Sequence, residues 1–255
     1  MPKLRRDGVD IYYEVHGEGP VILLSHGFAS ASGMWKGQIE PLSKTHRLVI
    51  WDMRGHGRSD YPEDRAAYTE EATVADIAAL LDAVGAEKAI VGGLSLGGYM
   101  SLAFHHAHPE RVAALMIFDT GPGYRNDEAR EGWNQTAIRR AERFERDGPA
   151  ALGAGAEVRV VSHRSTDGLA KAARGMLTQR NANVINSLPG IGVPTLVLAG
   201  SRDERYLAAF DYMAAKIPGA KKVMIEDAGH SANIDQPEAF NRAACAFLDS
   251  LGERV

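Results

Sequence analysis

A serine between two glycines, in the segment Gly93-Leu94-Ser95-Leu96-Gly97, is the feature of this sequence with the clearest chemical meaning. An apolar run typical of a buried strand precedes this segment, and residues typical of a helix follow it. A serine at the apex of such a turn is exposed as a nucleophile, and residues two positions away must be small for the turn to close. The pattern predicts a nucleophile at Ser95; an incidental serine in a glycine-rich turn is the alternative.

A serine hydroxyl reacts only when a base accepts its proton and a third group orients that base. Nine histidines are available, and His230 is favoured because it lies in the loop after the last predicted strand, from which it can reach over the sheet edge. Asp203 and Asp119 also follow predicted strands and compete as the orienting acid. Asp203 is preferred because it gives the chain order serine, aspartate, histidine, with Asp119 as its possible substitute.

Acyl transfer through a serine also needs N–H donors for the negatively charged oxygen that develops on the substrate. The backbone N–H of Leu96, at the start of the helix after the serine, is one candidate. The backbone N–H of Phe28, which follows His26 and Gly27, is the second. His26 itself is expected next to the nucleophile, where it supports the local geometry or contacts substrate.

Alternating strands and helices must position these residues. Apolar or alternating runs predict strands over residues 11–15, 21–24, 48–51, 89–94, 112–118, 194–200 and 223–225. Because helical patterns lie between most of them, the expected fold is α/β: a mostly parallel, doubly wound sheet with helices on both faces. The candidate residues then lie along one rim, at the carboxyl ends of the strands. A helix capped by Thr69 and ended by Gly85 is expected between two of the strands.

The strand–helix alternation stops between residues 121 and 192, which predicts an inserted helical cap. The core domain is then formed by residues 1–120 and 193–255. Trp133, Ile138 and Phe144 are expected to line an acyl pocket or to pack the cap. Six cap arginines alternate with acidic residues, which favours a solvated helical face with at most one or two arginines reaching the pocket: Arg125, Arg130, Arg139, Arg140, Arg143 and Arg146.

Composition narrows the class of protein. The 255 residues are 45% hydrophobic and carry a net charge of −4, so no basic surface argues for nucleic acid or an anionic membrane. A single cysteine excludes an intrachain disulfide and a cysteine metal cluster. No apolar leader or membrane-length run is found, so a cytoplasmic location is expected. No metal or organic cofactor is implied; the expected partner is a small-molecule substrate, and a monomer and a dimer are both open.

With these pieces located, the chain resembles the α/β-hydrolase superfamily, in the branch with a serine nucleophile. The resemblance covers nearly the whole chain outside the cap. Five stretches in the right order carry it: residues 25–28 (SHGF), 52–59 (DMRGHGRS), 93–98 (GLSLGG), 200–203 (GSRD) and 228–230 (AGH). It implies that Ser95, Asp203 and His230 form a catalytic triad and that Phe28 and Leu96 form the oxyanion hole. Many relatives have a proline soon after the triad acid, whereas this chain has Glu204-Arg205-Tyr206.

The resemblance implies hydrolysis of a carboxylic ester or lactone through an acyl-enzyme as the first functional hypothesis. Relatives with an aspartate nucleophile, such as epoxide hydrolases, are disfavoured by Ser95. Serine-triad relatives also include carbon–carbon bond hydrolases, cofactor-free haloperoxidases and a menaquinone-pathway synthase that eliminates pyruvate. The cap arginines resemble those of that synthase and of small enol-lactonases. A non-catalytic binding relative is the remaining alternative, although such proteins often lose a triad member.

Overall fold

The computed structural model describes residues 3–252, which form one eight-stranded sheet in the order β1-β2-β4-β3-β5-β6-β7-β8. The strands are β1 (Lys3–Arg6), β2 (Val9–His16), β3 (Val21–Ser25), β4 (Arg47–Trp51), β5 (Ala89–Leu94), β6 (Val112–Phe118), β7 (Thr195–Gly200) and β8 (Lys221–Ile225). Strand β2 pairs antiparallel with β1 and β4, and all the remaining pairs are parallel. The predicted fold, a mostly parallel α/β sheet, is confirmed.

Helices cover both faces of the sheet. They are α1 (Lys36–Ser43), α2 (Glu70–Ala83), α3 (Leu96–Ala107), α4 (Asp127–Asp147), α5 (Ala156–Arg159), α6 (Thr166–Gly175), α7 (Asn183–Ser187), α8 (Glu204–Lys216), α9 (Ala232–Asp235) and α10 (Pro237–Asp249). Two apolar clusters result, one on each side of the sheet. All residues of β3, β5 and β7 are buried, which explains why these strands are continuous apolar runs rather than alternating ones.

Helix α2 begins and ends where its sequence predicts. The Thr69 side chain accepts a hydrogen bond from the Ala72 N–H at 3.1 Å, so it satisfies one of the free donors at the helix start. Gly85, with φ of 68°, follows the last turn in the left-handed conformation that glycine adopts most easily. The buried face of α2 includes Val74, Ile77, Leu80 and Leu81.

The chain between β6 and β7 is helical and carries α4 to α7, and we call residues 121–192 the cap. The longest cap helix, α4, packs against α6. Arg174 from α6 binds the Glu145 carboxylate with two hydrogen bonds of 2.9 and 2.7 Å. The division of the chain into a core domain and a separate cap stays a prediction.

Strand β1 was not predicted. It contains Lys3, Arg5 and Arg6 and has no fully buried residue, so it lacks the apolar pattern that marks the inner strands. Charged residues are common on edge strands, where they discourage pairing with another chain. Within residues 3–252, no helix combines the length and apolar character needed to cross a membrane.

Candidate active site

Ser95 lies at the apex of a sharp turn between β5 and α3. Its backbone has φ of 55° and ψ of −117°, a conformation that a residue with a Cβ atom rarely adopts. Three hydrogen bonds hold it there: its N–H donates to the Phe118 carbonyl at 3.0 Å, and its carbonyl accepts from the Tyr99 N–H at 3.0 Å and the Thr120 hydroxyl at 2.7 Å. The surrounding fold therefore maintains the strained turn and leaves the serine hydroxyl facing a cavity.

The two glycines around Ser95 are required by the close approach of neighbouring backbone. A Cβ atom at Gly93 would lie 2.5 Å from the Ser25 carbonyl oxygen and 2.6 Å from the Gly97 carbonyl carbon. A Cβ atom at Gly97 would overlap the same Ser25 oxygen. Only glycine fits at both positions, which gives the physical reason for the spacing seen in the sequence.

His230 and Asp203 meet across the same rim of the sheet. Asp203 follows β7 and His230 follows β8, and the His230 Nδ1 atom lies 2.7 Å from Asp203 Oδ2. Burial disfavours the charged imidazolium, but the hydrogen bond and the negative charge of Asp203 outweigh burial and raise the pKa of His230 above its ordinary value. Ser95, Asp203 and His230 line one cavity.

Tyr206 stacks on the His230 ring, with ring centroids 5.0 Å apart and an angle of 20° between the planes. The preceding residue, Arg205, lies over the ring of Trp133 at 5.3 Å. Both residues occupy the stretch where many relatives carry a proline after the triad acid. The sequence departure is thus the signal that could have pointed to Arg205 and Tyr206 as parts of the site.

Asp119 lies near this group, but among residues 3–252 it forms no hydrogen bond with the histidine. Its Oδ1 accepts a hydrogen bond from the Gly200 N–H at 2.8 Å, and its buried Oδ2 has no partner among the described residues. Burial raises the pKa of Asp119 to about 8. The carboxyl group that contacts His230 is therefore that of Asp203, the acid preferred from chain order.

The two backbone donors expected for an oxyanion lie near Ser95. Within residues 3–252, neither the Phe28 N–H nor the Leu96 N–H donates a hydrogen bond to the protein. The loop that carries Phe28 packs against the serine, since a Cβ atom on Gly27 would lie 3.5 Å from Ser95 Cβ. Unused donors beside a nucleophile are the arrangement that an oxyanion needs.

His26 does not reach the cavity, so its assignment to substrate binding is wrong. Its side chain is fully buried, with Nδ1 donating to the Gly27 carbonyl at 2.7 Å and Nε2 accepting from the Met53 N–H at 2.9 Å. Burial lowers the pKa of His26 to about 4, so the ring is neutral at physiological pH. His26 instead fixes the backbone of the loop before Phe28, the supporting role also foreseen for it.

Ser95 opens onto two cavities. The larger, of about 560 Å³, lies under the cap and is lined by Phe28, Phe144, several polar cap residues, Asp203 and His230. The smaller, of about 110 Å³, is lined by Leu96, Tyr99, Tyr124, Met176 and other residues. Trp133, Leu177, Arg205 and Tyr206 line both. A substrate bound at Ser95 can therefore place one part on each side of the reacting bond.

The larger cavity contains more arginine than the sequence predicted. Three cap arginines line it, namely Arg139, Arg140 and Arg143, and Arg205 joins them from α8. The expectation of at most one or two was wrong because one side of α4 faces the cavity, with positions 133, 136, 137, 139, 140, 143 and 144. The acidic residues of α4 are not among those that line it. Ile138 lies on the opposite side of α4, about 180° around the helix from the centre of this face, and lines neither cavity, so its assignment to the pocket is wrong as well.

Arg140, Arg143 and Arg205 differ from Arg130 and Arg146 in their partners. Arg130 and Arg146 each form an ion pair with a neighbouring aspartate. In the part of the chain that the structure describes, no carboxylate forms an ion pair with Arg140, Arg143 or Arg205. Arg140 instead lies over the ring of Phe28, at 5.2 Å from its centroid. One acidic cap residue, Glu157, also lines the cavity, but its carboxylate accepts a hydrogen bond from the Ser231 hydroxyl and forms no ion pair with these arginines. The cavity thus contains more positive than negative side chains.

The side chains around Ser95 do not form a recognisable metal-binding site. Among residues 3–252, no group of three or more histidine, cysteine, aspartate or glutamate side chains is arranged to hold a metal ion. What the site offers is a serine hydroxyl, an imidazole hydrogen-bonded to a carboxylate, and two free N–H donors. Such a set can transfer an acyl group from a substrate to serine and then to water.

Comparison with known proteins gives consistent results. The 3-oxoadipate enol-lactonase 1 of Acinetobacter baylyi is 29% identical over 268 residues, covering 96% of each chain. A solved esterase from Thermogutta terrifontis, with malate bound, is 30% identical with a TM-score of 0.87, covering 98% of this chain and 99% of that one. The enol-lactonase of Burkholderia xenovorans LB400 is 28% identical with a TM-score of 0.77, covering 97% of this chain and 100% of that one.

The family model described as the alpha/beta hydrolase fold matches residues 20–166, more than half of the chain. This match includes β3 to β6, the turn at Ser95 and the first part of the cap. The Asp203 and His230 segments lie beyond it, on the strands β7 and β8 that complete the same sheet. Together with the esterase and enol-lactonase neighbours, these features establish that the chain is a member of the α/β-hydrolase family.

Proposed function

We propose that this protein is a serine hydrolase that cleaves a carboxylic ester or a lactone of a small molecule through an acyl-enzyme on Ser95. The observation that carries the proposal is one arrangement: a strained serine sharing a cavity with a histidine whose Nδ1 is 2.7 Å from a carboxylate. The hydrolase names of the relatives, an enol-lactonase and an esterase, agree with this reading.

In the first half-reaction, Ser95 Oγ attacks the carbonyl carbon of the substrate while His230 Nε2 accepts the hydroxyl proton. The carbonyl oxygen becomes negatively charged and is stabilised by the N–H groups of Phe28 and Leu96. Asp203 keeps the imidazole in the tautomer that leaves Nε2 free to accept the proton. The tetrahedral intermediate collapses, and His230 returns the proton to the departing alkoxide.

In the second half-reaction, water replaces the alcohol. His230 takes a proton from this water as its oxygen attacks the acyl carbon, and the same N–H groups stabilise the second oxyanion. Collapse breaks the bond to Ser95 Oγ, which recovers its proton from His230. In a lactone the alcohol and the acid belong to one molecule, so a single hydroxy acid leaves.

The first test is hydrolysis of 4-nitrophenyl esters of increasing acyl length by the wild type and by Ser95→Ala. The proposal expects turnover by the wild type, loss of nearly all of it in the variant, and a burst of nitrophenol when acyl-enzyme accumulates. Absence of turnover with esters and lactones alike would reject ester hydrolysis. The diketone and menaquinone-pathway substrates would then test carbon–carbon bond hydrolysis and pyruvate elimination.

We further propose that the substrate carries a carboxylate on the part that enters the larger cavity. Arg140, Arg143 and Arg205 offer guanidinium groups without ion-pair partners, and a guanidinium matches a carboxylate with two parallel hydrogen bonds. Three guanidinium groups that face one cavity repel one another, and Glu157, the cap carboxylate in the same cavity, forms an ion pair with none of them. An anionic ligand would relieve this repulsion, which supports an acidic substrate. The names of the compared proteins point the same way, since one acts on an oxoadipate lactone and another was solved with malate.

A matched pair of esters tests this substrate class. Mono(4-nitrophenyl) succinate and its methyl ester have the same chain and leaving group and differ in one negative charge. The wild type is expected to prefer the anion by about 10- to 100-fold in kcat/KM, the range for one hydrogen bond to a charged group. Arg140→Gln, Arg143→Gln and Arg205→Gln should lower this preference, whereas the surface control Arg146→Gln should not. Equal rates for both esters would reject the carboxylate while leaving ester hydrolysis intact.

A further inference from the structure

The loop after β3 has an unusual backbone at the point where it passes the nucleophile. Ala29 has φ of 58°, in the left-handed region that residues with a Cβ atom avoid, and the Ser30 N–H closes a tight turn onto the Gly27 carbonyl at 3.1 Å. Phe28, which lies between Gly27 and Ala29, carries the free N–H beside Ser95. We call residues 27–32 the donor loop. Because its conformation is disfavoured locally, contacts from elsewhere must maintain it.

From the core, Asp52 Oδ1 accepts a hydrogen bond from the Ser32 N–H at 2.7 Å at the end of the loop. The contacts at Ala29 and Ser30 come from the cap. The Ser30 hydroxyl donates to the Glu157 carbonyl at 2.8 Å, and His163 Nε2 lies 3.0 Å from the Ala29 carbonyl oxygen. The other ring nitrogen, His163 Nδ1, accepts a hydrogen bond from the Gly57 N–H at 3.1 Å. Since Nδ1 accepts, the neutral ring carries its proton on Nε2 and donates it to Ala29. One imidazole thus joins the donor loop to the loop after β4.

His163 is also connected to the donor loop through two edge-on ring contacts. Its ring meets that of His56 edge-on, with centroids 5.8 Å apart, and His56 meets Phe28 in the same way at 5.8 Å. Burial lowers the pKa of His163, which keeps the ring in the neutral form that can accept from Gly57. The ring is therefore held at both nitrogens and on one side.

From this geometry we infer that His163 is a positioning residue for the oxyanion hole. By holding the Ala29 carbonyl it fixes the turn that aims the Phe28 N–H at the reacting carbonyl oxygen. The inference rests on the proposed function, because it takes the Phe28 N–H to be an oxyanion donor. It makes the cap a part of the catalytic apparatus, since the cap supplies the hydrogen bonds to the middle of the donor loop, at Ala29 and Ser30.

Two conservative variants separate the two hydrogen bonds. In His163→Gln the side-chain amide nitrogen can occupy the position of Nε2 and donate to Ala29. In His163→Asn the shorter amide can occupy the position of Nδ1 and accept from Gly57, but it cannot reach Ala29. His106→Asn, at an exposed position on α3, is the control.

Steady-state kinetics on the ester chosen above give the first readout. Removal of an oxyanion donor lowers kcat by about 100- to 1000-fold, so a misdirected donor in His163→Asn should lower it by about tenfold or more. KM should change less than twofold, and His163→Gln should recover most of the rate. A rise in KM at constant kcat, or equal losses in Asn and Gln variants, would overturn the inference.

Hydrogen exchange of the backbone amides in residues 28–34 gives a readout independent of activity. Exchange of the Ser30 N–H should be faster in His163→Asn than in the wild type and near normal in His163→Gln. Unchanged exchange in His163→Asn would overturn the inference even if activity fell. Should the wild type hydrolyse no ester, the proposed function would fail, and the exchange rates alone would decide whether His163 holds the loop.

Discussion

Replacing Asp203 by asparagine tests how the base is held. Asp203 is 7% exposed, and its Oδ2 lies 2.7 Å from His230 Nδ1, so an amide placed there has no alternative partner of equal quality. An amide NH₂ favours the tautomer in which Nδ1 accepts and Nε2 carries the proton. That tautomer cannot take a proton from Ser95. We expect kcat to fall by about 10⁴ at pH 7, equivalent to about 5.4 kcal/mol of barrier.

The loss would be smaller if Asp119, the second acid at the rim, could replace Asp203. With a pKa of about 8, only about a tenth of Asp119 is ionised at pH 7. Its Oδ1 is already engaged with the Gly200 N–H. Asp119 should therefore not replace the missing carboxylate, and Asp203→Asn combined with Asp119→Asn should be no slower than Asp203→Asn alone.

The assay is single-turnover acylation by a 4-nitrophenyl ester, with circular dichroism and thermal unfolding to verify the fold. Asp211→Asn is the control, because Asp211 is an exposed acid that pairs with Lys222 at the surface. Retention of activity within about tenfold of wild type would refute Asp203 as the orienting acid. A further hundredfold loss in the double variant would assign that role to Asp119.

Other predictions concern the same rim. Activity should decline as the pH falls through the pKa of His230, which the Asp203 carboxylate raises above the ordinary value of an imidazole, and a midpoint below that ordinary value would contradict the Asp203 contact. Because burial raises the pKa of Asp119, its ionisation should destabilise the fold as the pH rises from about 4 to 8. Asp119→Asn should then raise the free energy of unfolding by up to about 4 kcal/mol at pH 7, measured by urea unfolding. If this stabilisation is no larger at pH 7 than at pH 5, Asp119 is not held neutral by the fold. Tyr206→Leu should lower kcat more than Tyr206→Phe, because only phenylalanine keeps the stacked ring; equal effects would exclude stacking. Gly97→Ala should yield little folded or active protein, and normal expression and activity would show that the turn can relax.

The fold could be predicted from sequence because its inner strands leave a simple record. A strand buried on both faces, such as β5 or β6, is a continuous apolar run, and the residue that follows it lies at the rim. Ser95 and Asp203 follow the buried strands β5 and β7, whereas His230 was located by its place in the loop after the last predicted strand. Strand β1 escaped because an exposed, charged edge strand lacks that pattern.

The cap could not be predicted at the same depth. Helical periodicity shows which residues of α4 share a face, but not which face meets the core, so Arg140 and Ile138 could not be ranked. The contacts of His163 escaped for a related reason, because its partners lie more than 100 residues away in the chain. Residue type alone also gave a wrong role for His26. Its place near Ser95 suggested contact with substrate, but both of its ring nitrogens form hydrogen bonds with backbone groups.

The partition between the two cavities has a consequence for evolution and engineering. Trp133 lies on α4 and lines both cavities, and its indole N–H donates a hydrogen bond to the Leu177 carbonyl at 2.7 Å. Trp133 and Leu177 form the cap side of the boundary between the cavities, and Arg205 and Tyr206 form its core side. Smaller side chains at Trp133 and Leu177 would widen the passage between the compartments and admit bulkier substrates without disturbing the core strands. Substrate range and catalytic chemistry can therefore change separately in this chain.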